Sequence, residues 1–357
     1  MIAFSGLIVW TIIACELSKR ISHNSSKRVY CRLMFFATVI LQGLRSIYIG
    51  GVDTSLVYAE GFERAMLTPF AELPKVFSKD LLFYILTKIF TYVCTDFHVY
   101  VFLISAFAMW SFSRYTYKHS DYPVLTYLLY YALGYYAVGF QMLRHVIALS
   151  ILLYSYDFLI DRNLLKFTLV VLLAGCFHSS ALIFFIAYPI VEADINWKQW
   201  IVIVFTILAT YLAKGLITDF VNIIISGMDR YSHYMSNVTQ LSLMGCFILL
   251  CVYIASFVFS YPVFKRDQEL TALLNLSAVS IVFMALVTVV GEFHRISMFF
   301  GIYNTILLPK AWKKYSIRNS GIKLMLIFVI MTIFVFYFLI IGLENYDLEV
   351  YKFFWEE

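Results

Sequence analysis

Apolar runs near the length of a bilayer span recur from Ile2 to Gly342, separated by short polar connections. A hydrocarbon core about 30 Å thick asks for roughly 20 apolar residues per helix, and only helices or closed barrels satisfy their backbone groups there. The short alternating segments that build a transmembrane barrel are absent. The pattern predicts an all-α polytopic integral membrane protein. The opening segment, MIAFSGLIVWTIIACEL, lacks a basic leader region and a small-residue cleavage site, so it reads as a retained first helix. Nothing soluble of useful size remains between the runs, and residues 1–357 read as one transmembrane domain.

The polar connections differ in charge. Lys19, Arg20, Lys27, Arg28 and Arg32 fall together, as do Arg114 and Lys118, Arg162 and Lys166, Lys198, Lys265 and Arg266, and the group Lys310, Lys313, Lys314, Arg318 and Lys323. The positive-inside rule makes these connections cytoplasmic. The outward ones are then those near 49–80, 139–143, 178, 215–240 and 291–295, with the acidic tail after Gly342. The largest outward loops lie near 49–80 and 215–240.

Two runs need dividing to keep that bias. The stretch from Leu81 to Ser113 is too long for one helix, and two full spans would invert every later basic connection. Residues 81–94 therefore read as a re-entrant or interfacial helix. Residues 166–191 carry His178 at their middle and read as two short helices, 166–177 and 179–191, meeting outward at Phe177, His178, Ser179 and Ser180. The expectation is about twelve spans, within about ten to fourteen, some short or re-entrant, with both termini outside.

With 62% hydrophobic and 14% charged residues, ionisable groups at membrane depth are few. Each is costly there, by roughly 2.5–3.5 kcal/mol on insertion scales, and usually faces a cavity or a partner. The net charge of +5 is distributed by topology, which excludes nucleic acid as the expected partner. The six cysteines form no CxxC and read as small buried hydrophobes. There is no metal-ligand spacing, no glycine-rich phosphate loop and no GxSxG, so no metal or cofactor is expected.

Arg45, Asp53, Glu60, Arg144, His145, His178, Arg230, Glu292, His294 and Arg295 all fall at or just beyond outward helix ends. A single outward cavity would gather them. Arginine's planar fork suits bidentate phosphate binding, so Arg144, Arg230 and Arg295 suggest an anion site, with Arg45 and His145 as further contacts. A pyrophosphate carried on a lipid would fit. His178, with its near-neutral intrinsic pKa, is a candidate proton acceptor, as are the carboxylates Asp53 and Glu292. Plainer readings stand beside these. Arg144 would snorkel to lipid phosphates, His178 would be a structural hydrogen-bonder, Asp53 would cap a short helix, and Glu292 would simply pair with Arg295. Tyr135, Tyr136, Tyr231 and Tyr234 flank the outward arginines, where rings stack on sugar faces or form an interfacial belt.

Arg45 followed by Gly50, Gly51, Val52, Asp53, Thr54 and Tyr58 resembles a segment of EpsG-like and Wzy-type polysaccharide polymerases. The helix start from Gln141 through Arg144 and His145 to Ala148 is similar to theirs, and so is the turn Phe177, His178, Ser179, Ser180, Ala181, Leu182. The matches cover residues 45–190; beyond them the likeness lies in topology, Arg230 and Arg295. Three features depart: Gly50-Gly51-Val52 replaces a Val-Gly-Thr approach to Asp53, the glutamate usual near the third helix is Asp80, and the glutamine usual after the arginine is His145.

The resemblance implies a GT-C-like glycosyltransferase of the bacterial inner membrane, with its active site facing the periplasm. Such an enzyme moves a growing glycan from undecaprenyl pyrophosphate onto another lipid-linked repeat unit. It needs no cofactor and works beside a flippase and a chain-length regulator. A lipid-linked oligosaccharide flippase would also carry cations, although it would show two similar halves and charges near the midplane. An O-antigen ligase, with a large late outward loop, or a membrane acyltransferase is a further alternative.

Overall fold

The computed structural model describes residues 2–22, 25–51, 53–212, 215–216, 239–261, 263–315 and 320–356. Among them the secondary structure is helical, with no strand and one isolated β-bridge, Arg45 to Phe353. The chain divides into two compact units, one of Met1–Leu182 with Ile317–Glu357 and one of Ile183–Ser316.

The first unit opens with α1 (Ile2–Ile21) and α2 (Ser26–Gly43). Gly50 and Gly51 then turn the chain at φ of 87° and 84°, left-handed values that only glycine takes without strain. Where the sequence suggests a capped α-helix at Asp53, a π-helical turn over Asp53–Ala59 leads into α3 (Glu60–Leu67). Next come α4 (Leu81–Thr91), α5 (Phe97–His119), α6 (Pro123–Ala132), α7 (Leu143–Ile160) and α8 (Leu164–Phe177).

Both divided runs are broken close to where the sequence suggests. Helix α4 has 11 residues and reaches only about 16 Å, too short to cross a bilayer. It is separated from α5 by Asp96, whose carboxylate caps α5 by accepting from the His98 and Val99 amides at 2.7 and 3.4 Å. Helix α8 stops at Phe177; His178 is extended (φ −152°, ψ 107°), and a 3₁₀ helix follows over Ser179–Ile186.

Helices α2 and α5 run antiparallel in close contact. Arg28 Nη2 donates to the Tyr117 hydroxyl at 3.2 Å, Ser113 Oγ donates to the Cys31 carbonyl at 2.8 Å, and the Phe35 and Trp110 rings meet edge-on at 5.8 Å. Gly43 faces Phe102 so closely that a Cβ there would come within 3.2 Å of the Phe102 Cα. At the end of α5, Lys118 Nζ and His119 Nε2 meet the Asp157 carboxylate at 2.7 and 3.1 Å. Asp157 lies in the last turn of the 18-residue α7, about 20 Å along the axis from Arg144 in its first turn. The basic connections of this unit thus share one end, and Arg144 occupies the other.

The second unit contains α9 (Trp197–Leu212), α10 (Thr239–Ser260), α11 (Gln268–Leu286), α12 (Phe293–Gly301) and α13 (Asn304–Lys314). Its basic connections pair with acids at the start of α11: Lys310 with Glu269 at 2.9 Å and Lys314 with Asp267 at 3.1 Å. A buried amide network staples three helices. Gln199 Nε2 donates to Asn275 Oδ1 at 2.7 Å and the Tyr253 hydroxyl donates to Gln199 Oε1 at 2.8 Å.

The chain returns to the first unit with α14 (Ser320–Tyr337). The tail then laces onto the end of α2. The Ser46 amide donates to the Lys352 carbonyl and the Phe354 amide to the Leu44 carbonyl, both at 3.0 Å, while the Tyr351 hydroxyl donates to the Leu41 carbonyl at 2.8 Å.

Among the described residues four helical segments are long and apolar enough to cross a membrane: Ile2–Ile21, Leu143–Ile160, Leu243–Ser260 and Gln268–Leu286. The protein is an all-helical membrane protein. Five shorter apolar helices accompany them, of which α4 is too short to cross, so these helices together do not make up about twelve spans. The apolar runs look longer in sequence than the helices they form, because Asp80, Asp96 and His178 interrupt them.

Candidate functional site

Asp80 precedes α4 with a left-handed backbone, φ 51°, a conformation Asp adopts more readily than most side chains. Its carboxylate does not cap its own helix. It crosses instead to two other elements far away in sequence. Oδ2 accepts from Arg144 Nη1 at 3.0 Å and lies 3.4 Å from His178 Nδ1, while Oδ1 accepts from the Ser179 amide at 3.1 Å. The break at His178 makes this geometry possible, because the 3₁₀ start turns the Ser179 amide toward Asp80 rather than into α8.

The cluster is sheltered but not sealed. The side chains of Asp80, His178 and Arg144 are 6%, 13% and 23% exposed. The Arg144 guanidinium stands over the rings of Tyr58 and Tyr84, at 5.5 and 6.0 Å from their centroids. Tyr84 is itself stacked on Phe77 at 3.7 Å, and Tyr58 abuts Phe83 at 5.8 Å. The buried Arg144 Nε donates to nothing among the described residues. His145 is buried with its ring edge-on to His178 at 5.5 Å. Burial pushes the Asp80 carboxyl up, but the bonds from His178 and the Ser179 amide and the charge of Arg144 outweigh it and hold the group below its usual value.

Chemically, this is a carboxylate that orients a histidine through Nδ1 and an arginine through one arm of its fork. The helix α7 N-terminus and the remaining arginine donors form an anion-attracting corner. The order of these elements along the chain has a counterpart among known proteins, for the sequence pattern of the EpsG family matches residues 28–353. The chain belongs to the EpsG family. No curated protein and no solved structure matches it.

Within this EpsG-family chain the other candidate residues are distributed unevenly. Arg45 is 1% exposed and embedded in backbone: it donates through Nη1 to the Gln42 carbonyl and through Nη2 to the Gly139 and Phe140 carbonyls at 3.2 and 3.1 Å. It clamps the turn before α7 to the end of α2 and does not join the cluster around Asp80. Asp53 is half-buried and makes no side-chain hydrogen bond or ion pair among the described residues; its neighbour Thr54 donates to the Phe140 carbonyl at 2.7 Å. Glu292 and Arg295 pair with each other at 2.8 Å at the start of α12, in the second unit, beside His294. Arg230, Tyr231 and Tyr234 lie outside the described residues. Tyr135 and Tyr136 are buried in the first unit, Tyr136 donating to the Thr38 carbonyl at 2.9 Å, so they serve as core rings rather than as a sugar platform. Glu60 is exposed.

Asp80 is the residue that sequence reasoning passed over. It is noticeable in sequence only as an acid standing where the resembled proteins carry a glutamate near the third helix. Nothing in its surroundings, FSKDLLFY, distinguishes a cross-linking carboxylate from an ordinary helix cap.

Proposed function

We propose that the protein is a polysaccharide polymerase that moves a growing glycan from undecaprenyl pyrophosphate onto an incoming lipid-linked repeat unit, on the periplasmic side of a bacterial inner membrane. Membership of the EpsG family and the all-helical membrane fold support the reaction class. The observation that carries the reading is the convergence of Arg144 and His178 on one carboxylate, Asp80.

In this reading the acceptor hydroxyl oxygen attacks the anomeric carbon of the donor glycan. The bond from that carbon to the pyrophosphate oxygen breaks, and its electron pair leaves with the lipid pyrophosphate. Arg144 stabilises the charge developing on the departing group through the donors that Asp80 does not occupy. Asp80 orients the His178 ring through Nδ1, and His178 accepts the hydroxyl proton. The Tyr58 and Tyr84 rings fix the guanidinium plane. The two compact units act together as a single polymerase domain. Flippase and chain-length partners supply its substrate and limit its product.

The test is glycan length in cells producing Arg144→Ala. Surface polysaccharide shortened to a single repeat unit supports lost polymerisation. Loss of every repeat unit, with lipid-linked units held inside the cell, would show a transporter and overturn the reading.

A further inference from the structure

The basic end of the first unit carries a feature that glycan transfer does not use. Along the antiparallel α2–α5 pair, three arginines stand without a carboxylate among the described residues. Arg28 bonds only the Tyr117 hydroxyl, Arg114 rests over the Tyr154 ring at 4.7 Å, and Arg32 is exposed with no hydrogen bond or ion pair. Two lysines at this end are neutralised, Lys19 by Glu16 at 2.7 Å and Lys118 by Asp157 at 2.7 Å.

Their placement is fixed by packing. The Ser113 to Cys31 hydrogen bond holds the two helices in register at 2.8 Å. Arg32 and Arg114 each lie one residue beyond that bond, and in an antiparallel pair this turns both to the same side of the helix pair. Arg28 stands one turn from Arg32, about 6 Å along the axis. Toward the middle of the same helices the surface becomes apolar and open: Phe36 is 61%, Trp110 57% and Phe107 38% exposed. A charged upper rung above an exposed aromatic stripe matches a phospholipid, with phosphate above and acyl chains below. Two levels of guanidinium match a headgroup with two phosphates better than one with a single phosphate, since arginine pairs with phosphate through its fork.

We propose that Arg28, Arg32 and Arg114 form a binding site for a doubly anionic phospholipid, whose acyl chains lie along Phe36, Phe107 and Trp110. The site belongs to the protein's membrane anchorage and lies at the opposite end of α7 from Arg144. Each basic residue near a membrane surface contributes about fivefold to the binding of an anionic lipid, so removing two reduces it about 25-fold.

Native mass spectrometry of the full chain in detergent, titrated with cardiolipin or with phosphatidylcholine, tests the site. The expected result is selective cardiolipin retention, weakened about 25-fold in Arg32→Gln/Arg114→Gln and unchanged in Lys19→Gln. Thermal unfolding of the lipid-free double variant matching the parent shows that the fold is kept. Phe36→Ser/Trp110→Ser is a second variant expected to lower retention with all three arginines present. Equal retention of both lipids by the parent chain, or cardiolipin retention by the folded arginine variant equal to the parent's, overturns the proposal.

Discussion

Arg144 Nη1 donates to Asp80 Oδ2 at 3.0 Å across 64 positions of chain, joining the first turn of α7 to the residue before α4. A cation in the first turn of a helix opposes the macrodipole, which favours negative charge there. Asp80 supplies that negative charge, and the ion pair lets the protein keep an arginine where the helix alone would reject one. Asp80→Asn removes the charge while keeping the shape. It is expected to lower stability by about 1–2 kcal/mol, less than a fully buried pair because Arg144 remains partly solvated. Arg144→Gln in the same background should then cost little more. Thermal unfolding of the two single variants and the double variant checks this, and strictly additive losses would show that the pair is not coupled.

The same carboxylate sets a pH dependence. Its folded value lies below that of the unfolded chain, because the His178 and Ser179 bonds and the Arg144 charge outweigh burial. A depressed acid stabilises the fold fully above its unfolded value of about 3.9 and loses that contribution as pH falls through the folded value. The stability gap between the parent chain and Asp80→Asn is therefore expected to be constant from about pH 5 to 7 and to narrow below about pH 4. Unfolding midpoints of both proteins across that range are the measurement. A gap that widens on acidification would contradict the assigned sign.

Much of this arrangement was legible in the order of residues, and the reason is physical. In an apolar chain each charge must have a use, so Arg144 and His178 stood out against their runs, and charge bias placed the basic connections at the other end, where Lys118, His119 and Asp157 indeed meet. The breaks before α5 and after α8 were likewise readable, the first from the length of its run and the second from His178. Asp80 was not, because a carboxylate before a helix is usually a cap, and only the left-handed backbone at Asp80 aims it elsewhere. Arg45 shows the opposite failure. Its position at an outward helix end suggested a ligand contact, whereas the folded chain surrounds it with carbonyls from a turn 94 and 95 residues away. Sequence marks a charge as costly without saying whether ligand, side chain or backbone compensates it.

That contrast between two arginines is itself testable. Arg45→Lys keeps the charge but cannot reach three carbonyls with the arginine fork, and it leaves a buried cation short of partners. Hydrogen bonds to charged groups contribute about 1.5–3 kcal/mol each, so a loss of at least about 2 kcal/mol is expected. The folded fraction should still make glycan of normal length. Arg144→Lys should do the reverse, with little change in unfolding midpoint and strongly shortened glycan. Stability and glycan length measured side by side separate the two roles, and the same profile for both variants would show that Arg45 also faces substrate.

Three residues compete as acceptor of the hydroxyl proton, and their surroundings differ. Glu292 is engaged by Arg295 at 2.8 Å, which ties its carboxylate to a cation on its own helix. Asp53 is half-buried, and no partner among the described residues orients it. His178 is oriented by Asp80, which lies beside its Nδ1 at 3.4 Å. General-base removal typically costs about 10²–10⁴ in rate. His178→Gln is therefore expected to slow chain elongation at least about 100-fold, and Asp53→Asn and Glu292→Gln less than about tenfold. The pH profile decides between base and mere support. A base gives an acid limb in the elongation rate, and that limb should vanish in His178→Gln while surviving in Asp53→Asn. An acid limb that survives in His178→Gln and disappears in Asp53→Asn would transfer the role to Asp53 and leave His178 as a brace for Asp80.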